Sequence, residues 1–84
     1  MKTTKFNLTT TAVIVCPAEP FTRQSTLHTS SGSSYVGGSD VSSTVGVHIP
    51  NGNTLQLTIP ANEALYAASN STSTLVVLDP GTVD

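Results

Sequence analysis

The clearest periodic pattern in the chain is an alternation of apolar and polar residues just beyond its midpoint. Leu55, Leu57 and Ile59 are separated by Gln56 and Thr58. A period of two places successive side chains on opposite faces of a strand, so that one face is buried and the other is solvated. This segment therefore predicts a β-strand whose apolar side chains point into a core.

Shorter apolar runs, separated by Gly, Pro, Ser and Asn, predict the remaining strands. We expect them at Thr9–Val15, Thr22–Thr29, Tyr35–Val36, Val45–Ile49, Ala64–Ala67 and Thr74–Leu78. The segment Ala61–Ser69 is rich in helix formers, but it is short and lies between strand-like runs, which favours a strand. The spacing predicts an all-β fold, a single small β-sandwich or barrel of about six to seven short strands.

Two groups of residues predict turns. Gly37 and Gly38 follow an apolar pair, and Asp40 comes two residues later. Glycine readily adopts a positive φ, and an Asp side chain can hydrogen-bond to the backbone near it. We therefore expect φ > 0 at Gly37, Gly38 or both. Pro50 and Gly52 predict a second turn before the alternating strand.

The chain is long enough for one domain, residues 1–84. Residues 22–79 are expected to form the β module and residues 80–84 a tail. Residues 1–20 are interpreted either as an anchoring arm or as the first strand of the module. The expected core consists of Val13, Val15, Leu27, Val36, Val41, Ile49, Leu55, Leu57, Ile59, Leu65, Tyr66, Leu75, Val77 and Leu78.

Composition adds a prediction of self-association. A domain of this size buries only about 60–65% of the surface that its unfolded chain exposes, and such domains usually need a further source of stability. Cys16 is the only cysteine, so an internal disulfide is impossible. Ser and Thr make up 25 of the 84 residues and only eight residues are charged, which leaves little repulsion between copies. We expect a homo-oligomer, with a trimer favoured.

Charge and hydropathy argue against two classes of partner. The three basic residues, Lys2, Lys5 and Arg23, are far fewer than a nucleic-acid footprint requires. The longest apolar run, Ala12–Cys16, is much shorter than the roughly 18 residues of a transmembrane helix. We therefore expect neither nucleic acid nor a membrane as a partner.

The reactive side chains are scattered through the sequence. Cys16 has no histidine close to it in the sequence, so a buried structural thiol is favoured over a nucleophile. His28 and His48 are too few to form a zinc site, although symmetry in an oligomer could multiply one of them. Asp40 and Glu63 could form a carboxylate pair, but a turn role for Asp40 is favoured. The glycine-rich loop at residues 37–39 lacks the lysine of a phosphate-binding loop. The sequence predicts no catalytic residue, no cofactor and no metal.

Five segments, taken in order along the chain, resemble a pattern in small all-β virion structural proteins of tailed bacteriophages. They are Tyr35–Val41, Gly46–Gly52, Leu55–Leu57, Ala64–Ala67 and Leu75–Leu78. The resemblance covers about residues 34–78. It implies a compact β module attached to the capsid surface, as in decoration or cement proteins, and it carries over no catalytic residue.

The expected function is therefore that of a head decoration protein that oligomerises and binds the major capsid protein. Two alternatives are a neck, tail or fibre-base structural protein and a carbohydrate-binding adhesion module on the virion. The absence of Trp from the sequence counts against the second alternative. The β-branched run that contains Thr9, Thr11, Val13 and Val15 could anchor the protein by adding to a neighbour's sheet. Alternatively, this run is the first strand of the module itself.

Overall fold

The computed structural model describes residues 2–79, with the side chains of Lys2 and Asp79 excepted, and the tail expected over residues 80–84 lies outside the described residues. The described part is all-β, as predicted, and contains eight strands rather than six or seven. They are β1 Lys2–Leu8, β2 Val13–Cys16, β3 Arg23–Ser31, β4 Ser34–Gly37, β5 Val47–Ile49, β6 Thr54–Ile59, β7 Leu65–Ser69 and β8 Ser73–Asp79.

The strands form two antiparallel four-stranded sheets. Sheet A has the order β1-β8-β3-β6, and sheet B has the order β2-β7-β4-β5. Only the β4–β5 connection stays within one sheet, and every other connection between described strands crosses to the opposite sheet. This order is that of a jelly roll, an eight-stranded sandwich built from two Greek keys. The first and last strands are neighbours, with Lys2 in register with Asp79.

The core lies between the two sheets, because alternate residues of each strand point inward. Nine of the residues expected in the core are buried: Val15, Leu27, Val36, Val41, Ile49, Ile59, Leu65, Leu75 and Val77. Leu8, Ala67 and Ala68, which were not expected there, are also buried, and Cys16 is buried as its interpretation as a structural thiol predicted.

The expectation of burial was wrong for Val13, which is 39% exposed on the edge strand β2. Leu55 and Leu57 are only half-buried, because β6 is an edge strand. Tyr66 and Leu78 are half-buried because alternation turns them to the outer faces of their sheets.

The N-terminal segment differs most from the expectation. Lys2–Leu8 is a strand, although Phe6 and Leu8 are its only apolar residues. Its register places Phe6 opposite Leu75, and Leu8 is 1% exposed. The strand expected over Thr9–Val15 begins only at Val13, and the preceding residues connect the two sheets. Burial of Leu8 in the shared core makes β1 part of the sandwich.

Hydroxyl groups join the two sheets at the corner where β3 passes into β4 and β7 passes into β8. Ser34 Oγ and Ser73 Oγ are hydrogen-bonded at 3.1 Å, and Ser69 Oγ donates to the Ser33 carbonyl at 2.8 Å. Gly32, at the corner itself, has φ +72°, and a Cβ there would lie 2.4 Å from the Thr72 carbonyl oxygen. Part of the high serine content is thus structural, because buried hydroxyls satisfy one another and the backbone where the chain changes sheets.

Candidate interaction surface

The glycine pair that the sequence singled out lies at the end of β4 and does not have the expected conformation. Gly37 is extended and in register with Tyr66, and neither Gly37 nor Gly38 has a positive φ. The expectation of φ > 0 at this pair was therefore wrong. The loop that follows contains the glycine with a positive φ instead. Gly46 has φ +155°, and a Cβ there would lie 2.6 Å from Val41 Cγ2.

The turns around Asp40 and Gly52 are closed by the main chain. The Val41 N–H donates to the Gly38 carbonyl at 3.0 Å, so Asp40 occupies a tight turn. The Asn53 N–H donates to the Pro50 carbonyl at 3.0 Å, and Gly52 has φ +81°. The two turns lie at opposite ends of the antiparallel β4–β5 pair, so they do not bring their side chains to a common point.

The four candidate anchoring residues do not share one surface. Thr9 and Thr11 are exposed in the connection before β2, and Val13 is partly exposed on the strand. Val15 is 4% exposed and belongs to the core. β2 pairs with β7 of the same chain, with Val13 opposite Ala67. The strand in this segment therefore pairs within sheet B of its own chain, and only the exposed residues of the segment are available to a partner.

The candidate reactive residues also lie apart. The Cys16 thiol is buried, 3.6 Å from Ser25 Oγ. His28 lies on sheet A, with Nδ1 3.0 Å from Thr54 Oγ1, whereas His48 lies on sheet B and stacks on Tyr35. Within residues 2–79, no group of three or more His, Cys, Asp or Glu side chains could hold a metal ion. These side chains make separate contacts and do not come together at one point.

A cavity of about 180 Å³ opens at one end of the sandwich, between the end of β6 and the ends of β4 and β7. The residues that line it include Gly37, Gly38, Leu57, Glu63 and Leu65. Asp40, the other half of the proposed carboxylate pair, does not line the cavity. The walls are mainly apolar with a single carboxylate, so the cavity can accept an apolar group.

The exposed large apolar side chains concentrate at the two edges of sheet B. On β2, Val13 is 39% and Ile14 is 49% exposed. On the opposite edge, Val45 and Val47, just before and within β5, are each 52% exposed. Phe21, at 45%, lies outside the strands. Exposed apolar side chains that are grouped on a surface, rather than scattered singly, are typical of association surfaces. The sequence indicated that these segments were strands, but nothing in it marked them as edges.

The outer face of sheet B carries the two tyrosines. Tyr35 on β4 and His48 on β5 are cross-strand neighbours whose rings stack with centroids 4.7 Å apart and an interplanar angle of 13°. Tyr66 on β7 is in register with Ile14, which continues this face to the β2 edge. Sheet B therefore presents an aromatic and aliphatic outer surface between its two apolar edges.

Comparison of the chain with protein-family models, curated proteins and solved structures found no match in any of the three. In the described part of the chain, no helix is long and apolar enough to cross a membrane. Jelly rolls serve as viral capsid domains, lectin domains and cupins, so the architecture by itself does not select a function. The surface of sheet B is the feature that bears on function.

Proposed function

We propose that this chain is a virion structural protein, a head decoration or cement protein of a tailed bacteriophage that self-associates and binds the major capsid protein. The observation that carries the proposal is the pair of apolar edges of sheet B, where Ile14, Val45 and Val47 are about half exposed. Because the chain has few charged residues, little electrostatic repulsion opposes association. Packing among other subunits would bury the apolar edges that a monomer leaves in water.

The proposed mechanism is passive and needs no reacting group. Each copy bridges neighbouring capsid subunits and buries apolar surface that the free shell leaves in water. Burial is worth about 25 cal/mol per Å², and a standard interface buries roughly 1,600 Å² in total. Many copies on one shell therefore add their binding free energies to the work needed to rupture it.

Two lines of analogy support a place on the capsid surface. The segments within residues 34–78 resemble small virion proteins, and the strand order is the jelly roll that many viral capsid domains use. The exposed apolar edges of sheet B, in turn, support association with other subunits. The proposal places the contact at β2, because Val13 and Ile14 are exposed there whereas Val15 is buried.

A binding assay with matched variants tests the proposed contact. Ile14→Lys places a charge on the β2 edge, and Phe21→Lys replaces an apolar residue of similar exposure that lies outside the strands. We expect Ile14→Lys to weaken co-sedimentation with heads assembled from the phage's major capsid protein at least tenfold, about 1.4 kcal/mol. Phe21→Lys should bind like the parent. Equal binding by all three proteins would contradict a contact at β2.

A place in the neck, tail or fibre base is the nearest alternative, and copy number separates it from decoration of the head. Quantitative mass spectrometry of purified virions should find a copy number comparable to that of the major capsid protein. A copy number close to that of neck or tail proteins would instead favour a location in the neck, tail or fibre base.

Carbohydrate binding is a second alternative, favoured by the outer face of sheet B. Stacked aromatic rings such as Tyr35 and His48 offer flat apolar surfaces, and lectin domains also use the jelly roll. A glycan array probed with the purified protein should give no signal under the decoration proposal. A signal lost in Tyr35→Ala and kept in Ile14→Lys would favour adhesion instead.

A further inference from the structure

The sandwich has four edge strands, and three of them carry features that discourage pairing with another chain. β1 carries Lys5, β2 has only four residues and an irregular register before Pro17, and β5 has only three residues. Lysine, proline, irregularity and short length are the usual means by which proteins protect the open edges of sheets. These three edges are therefore poor templates for a further strand.

The fourth edge, β6, has none of these features. It has six residues, Thr54–Ile59, which contain no charge, proline or glycine. From Thr54 to Ile59 its ladder with β3 is regular, and β3 is its only strand partner among the described residues. The other side of β6 thus presents backbone groups along the whole strand. Such an edge readily accepts another strand.

We infer that β6 of one copy pairs antiparallel with β6 of a second copy about a two-fold axis. With the axis at Gln56, this residue faces its own equivalent, Leu55 faces Leu57 of the second copy, and Thr54 faces Thr58 of the second copy. Outward polar residues thus meet polar residues, and inward apolar residues meet apolar ones. No like charges come together, in contrast to a pairing of two β1 strands. This self-complementarity identifies the occupant of the edge as another copy of the chain.

The surface beneath β6 favours the same partner. A turn at residues 50–53 joins β5 to β6, so the two strands lie on the same side of the sandwich. Val47, in register with the inward-facing Val36, is 52% exposed on this side. The end cavity opens beside Leu57. A second copy aligned on β6 would cover apolar surface that a lone chain leaves in water, which adds to the main-chain hydrogen bonds.

This inference deepens the self-association part of the proposed function by naming the strand and the symmetry. A two-fold contact closes as a dimer, whereas the trimer expected from the sequence would need a head-to-tail contact. The inference concerns isolated copies of the chain, so its test needs no capsid. A failure would leave the β2 contact with the shell to be judged by its own assay.

Charge-swap variants at Gln56 test the contact. Two Lys residues, or two Glu residues, would face each other across the axis and repel, so Gln56→Lys and Gln56→Glu should each weaken the dimer at least fivefold. An equimolar mixture should restore association as a heterodimer. Gln24→Lys is the matched control, because Gln24 lies exposed on the same sheet but on the interior strand β3. Analytical ultracentrifugation from about 1 µM to about 1 mM covers the relevant range of dissociation constants.

The expected result is a dimer for the parent and Gln24→Lys, weaker dimers for the single Gln56 variants, and recovery in the mixture. Thermal melts of each variant establish that it remains folded. A parent that stays monomeric throughout, forms trimers, or keeps its dimer in Gln56→Lys would overturn the inference. Loss of the dimer in Gln24→Lys as well would also overturn it, because the effect would then not belong to the β6 edge.

Discussion

At the scale of single residues, the conformation of a glycine and the space around it make separate contributions to stability. Gly32 and Gly52 have similar positive φ values, +72° and +81°. A Cβ at Gly32 would lie 2.4 Å from a backbone oxygen, whereas a Cβ at Gly52 would meet nothing within 4 Å. A residue with a Cβ would therefore adopt an unfavourable backbone conformation at either position, but it would overlap other atoms only at Gly32.

We expect Gly52→Ala to lower the free energy of unfolding by about 1 kcal/mol, the cost of a left-handed conformation for a residue with a Cβ. Gly32→Ala should cost roughly 3 kcal/mol or more, because the corner must also open to relieve the overlap. Urea denaturation of both variants gives the comparison. Equal losses would mean that the corner adjusts freely and that only the φ angle matters.

The glycine pair at the end of β4 shows what sequence reasoning misses at this scale. A positive φ was expected at Gly37, Gly38 or both, because glycine readily adopts it and the pair was interpreted as a turn. The turn does begin at Gly38, but the positive φ lies at Gly46, where an added Cβ would overlap Val41. Sequence shows which residues can adopt a positive φ. Only the path of the loop back to the sheet decides which one must.

At the scale of elements, the N-terminal strand is the most informative case. The alternating strand β6 and the apolar strand β8 could be predicted because their patterns are strong. β1 was missed because its seven residues include only two apolar ones, Phe6 and Leu8. An edge strand with one solvated face needs few apolar residues, and its existence here depends on the pairing with β8 at the other end of the chain. No local pattern reveals such a partner.

In the structure, β1 contributes a buried side chain to the core. Two substitutions on this strand measure how much that burial contributes to stability. Leu8 is 1% exposed, whereas Asn7 is exposed on the same strand. We expect Leu8→Ala to lower the free energy of unfolding by about 2–5 kcal/mol, the usual cost of a buried Leu→Ala change. Asn7→Ala should remain within about 0.5 kcal/mol of the parent.

Denaturation curves of the two variants decide between the two interpretations of the N-terminal segment. A detachable arm would tolerate Leu8→Ala with little loss of stability. The same measurement on a chain lacking residues 1–16 extends the comparison. This deletion removes one edge strand from each sheet, and we expect the shortened chain not to fold.

At the scale of the whole molecule, the fold depends mainly on pairing between strands that are far apart in the sequence. Lys2 is in register with Asp79, so the ends of the described chain are adjacent, and almost every connection crosses between the sheets. The all-β class could be predicted from local patterns, but the strand order could not. The order follows from which strands share the core, and that depends on contacts between residues far apart in the sequence.

This dependence leads to a prediction about circular permutants. A short linker joins the original ends, and new ends are opened between Ser43 and Thr44, in the exposed β4–β5 loop that stays within one sheet. This permutant should melt cooperatively within roughly 10 °C of the parent, which corresponds to about 1–2 kcal/mol for a domain of this size.

A second permutant, opened between Gly32 and Ser33, interrupts the corner where Ser69 bonds to the Ser33 carbonyl. It should melt far lower or fail to fold, because that connection fixes the passage from sheet A to sheet B. Circular dichroism melts compare the three chains. If the corner tolerated the break as well as the loop does, the chain connection at the corner would contribute no more to stability than the β4–β5 loop.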